Sequence, residues 1–302
     1  MKVLIVGYGS IGQKHAQALR KIVPGVSIIA LRSSTKSKLD KNIKSVYRWA
    51  DIERSIDFIL ISNPSSEHYN TIIEAINFGV PLFIEKPLLA NLKGANDLAK
   101  KILAKNIITY TAFNLRFHPI IVWLKDNLES NKIIEARAYC GSYLPNWRSD
   151  KDYRTVYSAK KSLGGGVHLD LIHELDYLQY LFGQPLSSNS FLSKKSELEI
   201  DSYDCAHYWL EYSSFNISVL LNYYRRDTQR NLEIVCKDET LVADLIACNV
   251  IRSNGEILFE SKPNLLKTYE TQMNYFINCI KMSEQPMNSF GEALHTLKLC
   301  LK

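Results

Sequence analysis

The sequence predicts an α/β protein in two parts: residues 1–118 form a doubly wound parallel-sheet domain, and residues 119–302 an α+β domain with a large, mostly antiparallel, open-faced sheet. Three observations predict this. Val3-Leu4-Ile5-Val6 is a continuous apolar run, the pattern of a strand buried on both faces. Gly7-Tyr8-Gly9-Ser10-Ile11-Gly12 then fits G-x-G-x-x-G and opens onto a helix. Beyond Pro119 the alternation of strand and helix gives way to short segments rich in β-formers, many of them alternating apolar and polar.

Each glycine of the motif has a physical task. Gly7 makes the tight turn, Gly9 lets the backbone approach a pyrophosphate, and Gly12 lets helix pack on strand. The helix is predicted over Gln13–Ile22, and at its start Ser10 and Ile11 offer backbone N–H groups and the positive dipole end to the phosphates. A strand over Val26–Leu31 leads into Arg32-Ser33-Ser34-Thr35-Lys36-Ser37-Lys38, with no acid before Asp40. A carboxylate at this place would bind a ribose 2′-hydroxyl and repel a 2′-phosphate. Arg32, with Ser33 and Ser34, instead suits the phosphate, so NADP(H) is preferred and NAD(H) is possible. The alternative is that Arg32 stacks on the adenine.

Strands over Phe58–Ile61, Leu82–Ile84 and Ile107–Ala112 follow, with helices over Tyr69–Phe78, capped by Ser65 or Ser66, and Asn91–Lys105. The strand at Leu82–Ile84 runs into Glu85-Lys86-Pro87. Ligands of open parallel sheets bind beyond the carboxyl ends of the strands, which puts Lys86 at the cofactor cleft.

Composition sets bounds. The chain has 302 residues, 46% hydrophobic and 23% charged, as in an ordinary globular protein. Its net charge of +6 has no long basic run, which argues against nucleic acid and suits an anionic ligand. Six cysteines lie far apart without metal-ligand spacing, and read as free thiols of a cytoplasmic protein with no metal. The N-terminus reads as a strand and not a signal peptide, and no apolar stretch reaches the ~18 residues of a membrane span.

The glycine motif, Asn63-Pro64 with His68 downstream, Glu85-Lys86-Pro87 and Asn114-Leu115-Arg116-Phe117-His118-Pro119 together resemble the glucose-fructose oxidoreductase/inositol dehydrogenase/rhizopine-catabolism (Gfo/Idh/MocA) family. The resemblance implies a Rossmann domain with Lys86 near nicotinamide and substrate, and a cis Lys86–Pro87 bond. Asn63, Pro64, His68, Glu85 and Asn114 are expected at the cofactor, and Arg116 at the substrate.

In the second part, a connecting helix is predicted over Ile120–Leu128 and a strand over Ile133–Tyr143. Leu144–Arg154 has no regular period and reads as a loop. Trp147 and Tyr153 can stack on sugar faces, and Arg148 and Arg154 can hold an anionic group; an ordinary surface loop is the other reading. Gly164-Gly165-Gly166 opens a helix of about 16 residues, Val167–Phe182, ending at Gly183. On such a helix Val167, Leu171, Leu175 and Leu178 share one face, with Asp170, His173, Asp176 and Tyr177 opposite. His168 falls among the leucines as a packed or capping residue. His173 is the candidate base, Asp170 its orienting acid, and Tyr177 a substrate contact. Ile172-His173-Glu174-Leu175-Asp176 resembles the inositol dehydrogenase-like branch, whose helix carries a catalytic His. That branch places its Asp four residues before the His, where this chain has Leu169.

Strands are predicted over Leu198–Ile200, Ala206–Tyr212, Asn216–Tyr224, Leu232–Cys236 and Glu239–Leu245, then helices over Leu265–Met282 and Phe290–Leu301. Ile217, Val219, Leu221 and Tyr223 form an apolar row facing either a partner or the domain's own helices. The resemblance implies a homodimer or homotetramer formed through this sheet. The activity expected is hydride transfer between the cofactor and a hydroxyl-bearing carbon of a sugar, cyclitol, sugar acid or nucleotide-linked sugar. Alternatives are a nicotinamide-dependent sugar lyase or hydrolase without net redox, and a non-catalytic dinucleotide sensor.

Overall fold

The computed structural model describes residues 1–34, 43–129, 132–148 and 150–302. Thr35 to Lys38 and Asp40, which follow the second strand, and Ser149 of the predicted loop lie outside these residues. The chain divides into two units: residues 1–114 with 266–297, and residues 115–265 with 298–302.

The first unit holds a six-stranded parallel sheet in the order β3-β2-β1-β4-β5-β6. Its strands are β1 (Lys2–Val6), β2 (Ser27–Leu31), β3 (Lys44–Val46), β4 (Phe58–Ile61), β5 (Leu82–Ile84) and β6 (Thr109–Thr111). This is the doubly wound order, which reverses between β1 and β4 and opens a crevice at their carboxyl ends. Val3 to Val6 and Phe58 to Ile61 are almost wholly buried, as their unbroken apolar runs require.

Helix α1 spans Ser10–Ile22, so it begins at Ser10 and not Gln13, and Gly12 lies in its first turn. Helix α2 (His68–Ala75) is flanked by 3-10 turns at Ser65–Glu67 and Ile76–Phe78. Ser65 and Ser66 lie in the 3-10 turn that precedes α2, whose own N-cap position is Glu67. Helix α3 spans Ala95–Ala104 behind a left-handed Gly94, shorter than the predicted Asn91–Lys105. Helix α7 (Leu265–Met282) and most of α8 (Phe290–Cys300) cluster with this unit, although they follow the other unit in sequence. The reason is aromatic packing: Phe276 meets Phe58, Phe83 and Tyr110 with ring centroids 5.3, 5.4 and 5.8 Å apart.

The second unit holds an eight-stranded sheet, β14-β13-β12-β11-β7-β10-β9-β8. Its strands are β7 (Ile133–Tyr143), β8 (Ser187–Ser193), β9 (Cys205–Glu211), β10 (Asn216–Asn222), β11 (Tyr224–Cys236), β12 (Thr240–Asp244), β13 (Asn249–Arg252) and β14 (Ile257–Glu260). Among the described residues only the β7–β10 pairing of this sheet is parallel. Leu198–Ile200 is not a strand, and the Ser-rich β8 takes the sheet edge instead. The row Ile217, Val219, Leu221 and Tyr223 is buried within the chain, on the face where α5 (Val167–Asp170) packs against β9 and β10. The opposite face leaves Phe191 and Trp209 72% and 47% exposed. Helix α4 spans Pro119–Asn127. The single helix expected over Val167–Phe182 is broken. Helix α5 stops at Asp170, Leu171 leaves helical geometry at φ −99°, ψ 26°, and α6 restarts over His173–Phe182.

Candidate active site

In the first unit, the residues read from the sequence gather at the carboxyl ends of the parallel strands. Gly7 follows β1, Arg32 follows β2, Asn63 lies beyond β4, Glu85 follows β5 and Asn114 lies beyond β6. Gly7 has φ +86°, and a Cβ there would sit 2.5 Å from the Asn63 backbone. A Cβ on Gly12 would sit 2.4 Å from Gly7 O, whereas one on Gly9 would meet nothing within 4 Å. Gly7 and Gly12 are thus closed against protein, and Gly9 stays open. Gly9 is the N-cap of α1 without a side-chain cap, which leaves the N–H groups of Ser10, Ile11 and Gly12 without helical acceptors. Asn63 Nδ2 donates to Thr71 Oγ1 at 2.7 Å, while its Oδ1 is buried without a hydrogen-bond partner. An open glycine at a helix N-terminus fits a dinucleotide pyrophosphate.

Around this cradle the other residues differ in exposure. Arg32 is buried, with its guanidinium 5.6 Å from the Tyr8 ring and Nη1 3.5 Å from Ser45 Oγ. Ser33, Ser34 and Pro64 are exposed. Asn114 is buried and donates from Nδ2 to Thr268 Oγ1 at 2.7 Å. His68 is also buried. Its Nδ1 lies 3.1 Å from Pro87 O and Leu88 O, and its Nε2 3.1 Å from Asn63 O. It ties the segment after Lys86 to the one after β4, and burial holds its pKa below the ordinary histidine value. The Lys86–Pro87 bond is cis and Lys86 is half-buried. The Glu85 carboxylate accepts from Lys86 N–H at 3.1 Å and lies 2.6 Å from His15 Nε2. His15, three residues past Gly12 in α1, was not among the residues singled out on sequence.

In the second unit, His173 opens α6 and is half-buried, while Glu174 to Gln179 are all buried. The break before it replaces the shared face expected of Asp170 and His173. Tyr223 Oη donates to Asp170 Oδ2 at 2.5 Å, and burial beside that carboxylate drives the phenol pKa well up. Trp147 meets Tyr223 edge-on at 5.3 Å and donates from Nε1 to Ser142 Oγ at 2.8 Å. Its indole remains 39% exposed, as a stacking surface needs.

Several candidates are held by other residues. Arg116 is only 6% exposed and pairs with the fully buried Asp176, Nη2 to Oδ1 at 2.7 Å and Nε to Oδ2 at 3.0 Å. Arg154 pairs with Asp152 and Glu199 at 2.8 and 3.0 Å. Arg148 is exposed, and Tyr153 is half-buried with its hydroxyl 3.3 Å from Glu199 N–H. Tyr177 is fully buried. It lies in the electrostatic field of Glu174, Arg230 and Cys140, and Arg230 Nε donates to Glu174 Oε1 at 2.6 Å. His168 packs edge-on against Tyr203 at 5.6 Å. Among the described residues no group of three His, Cys, Asp or Glu side chains could hold a metal ion, and no helix is long and apolar enough to cross a membrane.

The parallel sheet with its glycine cradle and strand-end lysine, followed by an open-faced sheet unit, defines a dinucleotide-binding class of protein. More narrowly, the chain belongs to the GFO/IDH/MocA oxidoreductase family: residues 1–112 match its NAD-binding Rossmann fold and residues 121–242 its C-terminal domain. The chain is 26% identical over 199 residues to scyllo-inositol 2-dehydrogenase (NAD(+)) of Bacillus subtilis; the match takes in 63% of this chain and 56% of the relative, so little more than half of that relative's length is spanned. A putative oxidoreductase, YceM, of Salmonella typhimurium is 23% identical over 97% of this chain and 94% of its own. Myo-inositol 2-dehydrogenase of Lactobacillus plantarum has the same fold, with a TM-score of 0.79 at 21% identity over 99% of this chain and 95% of the other.

Proposed function

We propose that the protein catalyses reversible oxidation of a hydroxyl-bearing carbon on a sugar, cyclitol, sugar acid or nucleotide-linked sugar, with NADP(H) preferred and NAD(H) accepted. The observation that carries this reading is the half-buried Lys86 set at the end of β5, on the same strand-end rim as the glycine cradle. A bound nicotinamide dinucleotide supplies the hydride acceptor or donor. The N–H groups of Ser10, Ile11 and Gly12 would bind its pyrophosphate, and Arg32 with Ser33 and Ser34 would bind the 2′-phosphate. Lys86 Nζ would donate to the reacting oxygen and stabilise negative charge developing there. His173, whose Nδ1 is enclosed in protein, would take the hydroxyl proton at Nε2. Asp170, held by Tyr223, would lie beside that proton transfer, and Trp147 would stack on the substrate.

The activities of the relatives on inositols support the substrate class. Exposed Phe191 and Trp209 support a homodimer or homotetramer formed through the open sheet face. All six cysteines are unpaired, which supports a cytoplasmic setting. The test is turnover on a panel of sugars and cyclitols. Lys86→Ala and His173→Ala should each lose roughly 10²-fold or more in kcat while the dinucleotide Kd holds. Full turnover in both variants would exclude the mechanism.

A further inference from the structure

We infer that His15 is a positioning residue for Lys86, acting through Glu85; the inference rests on the proposed role of Lys86. Glu85 uses its two carboxylate oxygens on different partners. One accepts from the backbone N–H of Lys86 at 3.1 Å, and the other meets His15 Nε2 at 2.6 Å. That separation is as short as charge-assisted pairs show. His15 is fully buried, with its ring edge-on to Phe83 at 4.9 Å and tilted against Tyr269 at 5.4 Å, so the ring is fixed on two sides. Glu85 is 12% exposed at its side chain, so little water competes for the pair.

The chain of contacts has a direction. His15 stands on α1, in the second turn after the glycine cradle, and Glu85 stands at the end of β5. The pair therefore ties the helix that meets the pyrophosphate to the backbone that carries the lysine. Beyond Lys86, His68 takes up the carbonyls of Pro87 and Leu88. Lys86 is the half-buried residue between two anchored neighbours. Glu85 also lies within the electrostatic reach of His68 and Tyr269, so its charge is felt throughout this corner. Without His15, the carboxylate keeps its bond to the Lys86 backbone N–H and is free to turn toward the adjacent ammonium, which makes that amine a poorer nucleophile.

The experiment compares two amides at position 15. Gln places a donor where histidine Nε2 stands and reaches Glu85; Asn stops short, at about the place of Nδ1. The readouts are the pH dependence of Lys86 acetylation by acetic anhydride, followed by peptide mass spectrometry on the cofactor-free protein, and kcat on the panel above. His15→Asn is expected to slow Lys86 acetylation and to lower kcat, each about tenfold, with His15→Gln restoring both to within about threefold. A merely structural role would lower the melting temperature without moving the acetylation profile. The inference is overturned if His15→Asn keeps the wild-type acetylation profile and kcat while Lys86→Ala is inactive. If Lys86→Ala keeps full turnover, the catalytic reading fails instead, and the acetylation profile still decides whether His15 positions the lysine.

Discussion

His118 makes the stability of the second unit depend on pH in a way that a single substitution isolates. The residue caps α4: its Nδ1 accepts from Ile120 N–H at 3.3 Å. The Nδ1 bond requires a ring without a proton there. Burial, reinforced by the nearby Arg230 charge, lowers the pKa from 6.5 to about 4. Between those values the unfolded chain binds a proton that the folded one refuses. The stability contribution is therefore complete above pH 6.5 and is lost as the pH falls toward 4. The slope is about 1.4 kcal/mol per pH unit, and the whole window is worth about 3 kcal/mol. Burial also lowers His168 to about 4, which adds a similar slope. Urea unfolding at a series of pH values from about 7 to 5, above the range where most carboxylates titrate, measures it. His118→Asn keeps an acceptor for Ile120 N–H but cannot titrate. It should lose about 1 kcal/mol at neutral pH and about 1.4 kcal/mol per unit of the pH slope. An unchanged slope in the variant would refute the assignment.

Other perturbations follow from the same contacts. Arg116→Ala removes the guanidinium that pairs with the buried Asp176, so unfolding free energy should fall by about 3–5 kcal/mol; the double change Arg116→Met, Asp176→Leu should recover most of it, and equal losses would rule out the ion-pair account. Gly7→Ala forces a Cβ against the Asn63 backbone at a positive φ, so calorimetric affinity for the dinucleotide should drop at least roughly tenfold, and retained affinity would show that the cradle is not the binding turn. Arg32→Ala should raise the KM for NADP(H) about tenfold or more and leave that for NAD(H) nearly unchanged; equal effects would favour adenine stacking over 2′-phosphate binding.

Much of the first unit was legible because its chemistry is local. An apolar run, a glycine turn and a helix start occupy ten consecutive positions, and Lys86 follows a short apolar strand directly. The misses have equally physical causes. β3 is three residues long and carries Lys44 and Ser45, so no alternation could show. β8 is mostly serine, and its place is set by pairing with β9 rather than by its own pattern. The break between α5 and α6 falls at Leu171 and Ile172, two buried apolar residues that continue the helical period, so periodicity could not reveal it. Arg116 and Asp176 are 60 residues apart, and Tyr223 and Asp170 are 53 apart. No spacing rule joins such pairs, and each decides what a candidate site residue touches. His15 was hidden as one polar residue of an amphipathic helix, its partner Glu85 being 70 residues away.

The return of residues 266–297 to the first unit bears on the order in which the protein can be made. On a ribosome the nucleotide-binding sheet emerges before the second unit, but the ring of Phe276 that completes its aromatic cluster comes after it. Until then Phe58 and Phe83 lack that partner, and the sheet must wait, incompletely covered, while the whole intervening unit is translated. A fragment cut after Asn114 would carry the glycine turn and the lysine yet lack this cover. A separately expressed nucleotide domain would therefore need the late helices grafted back.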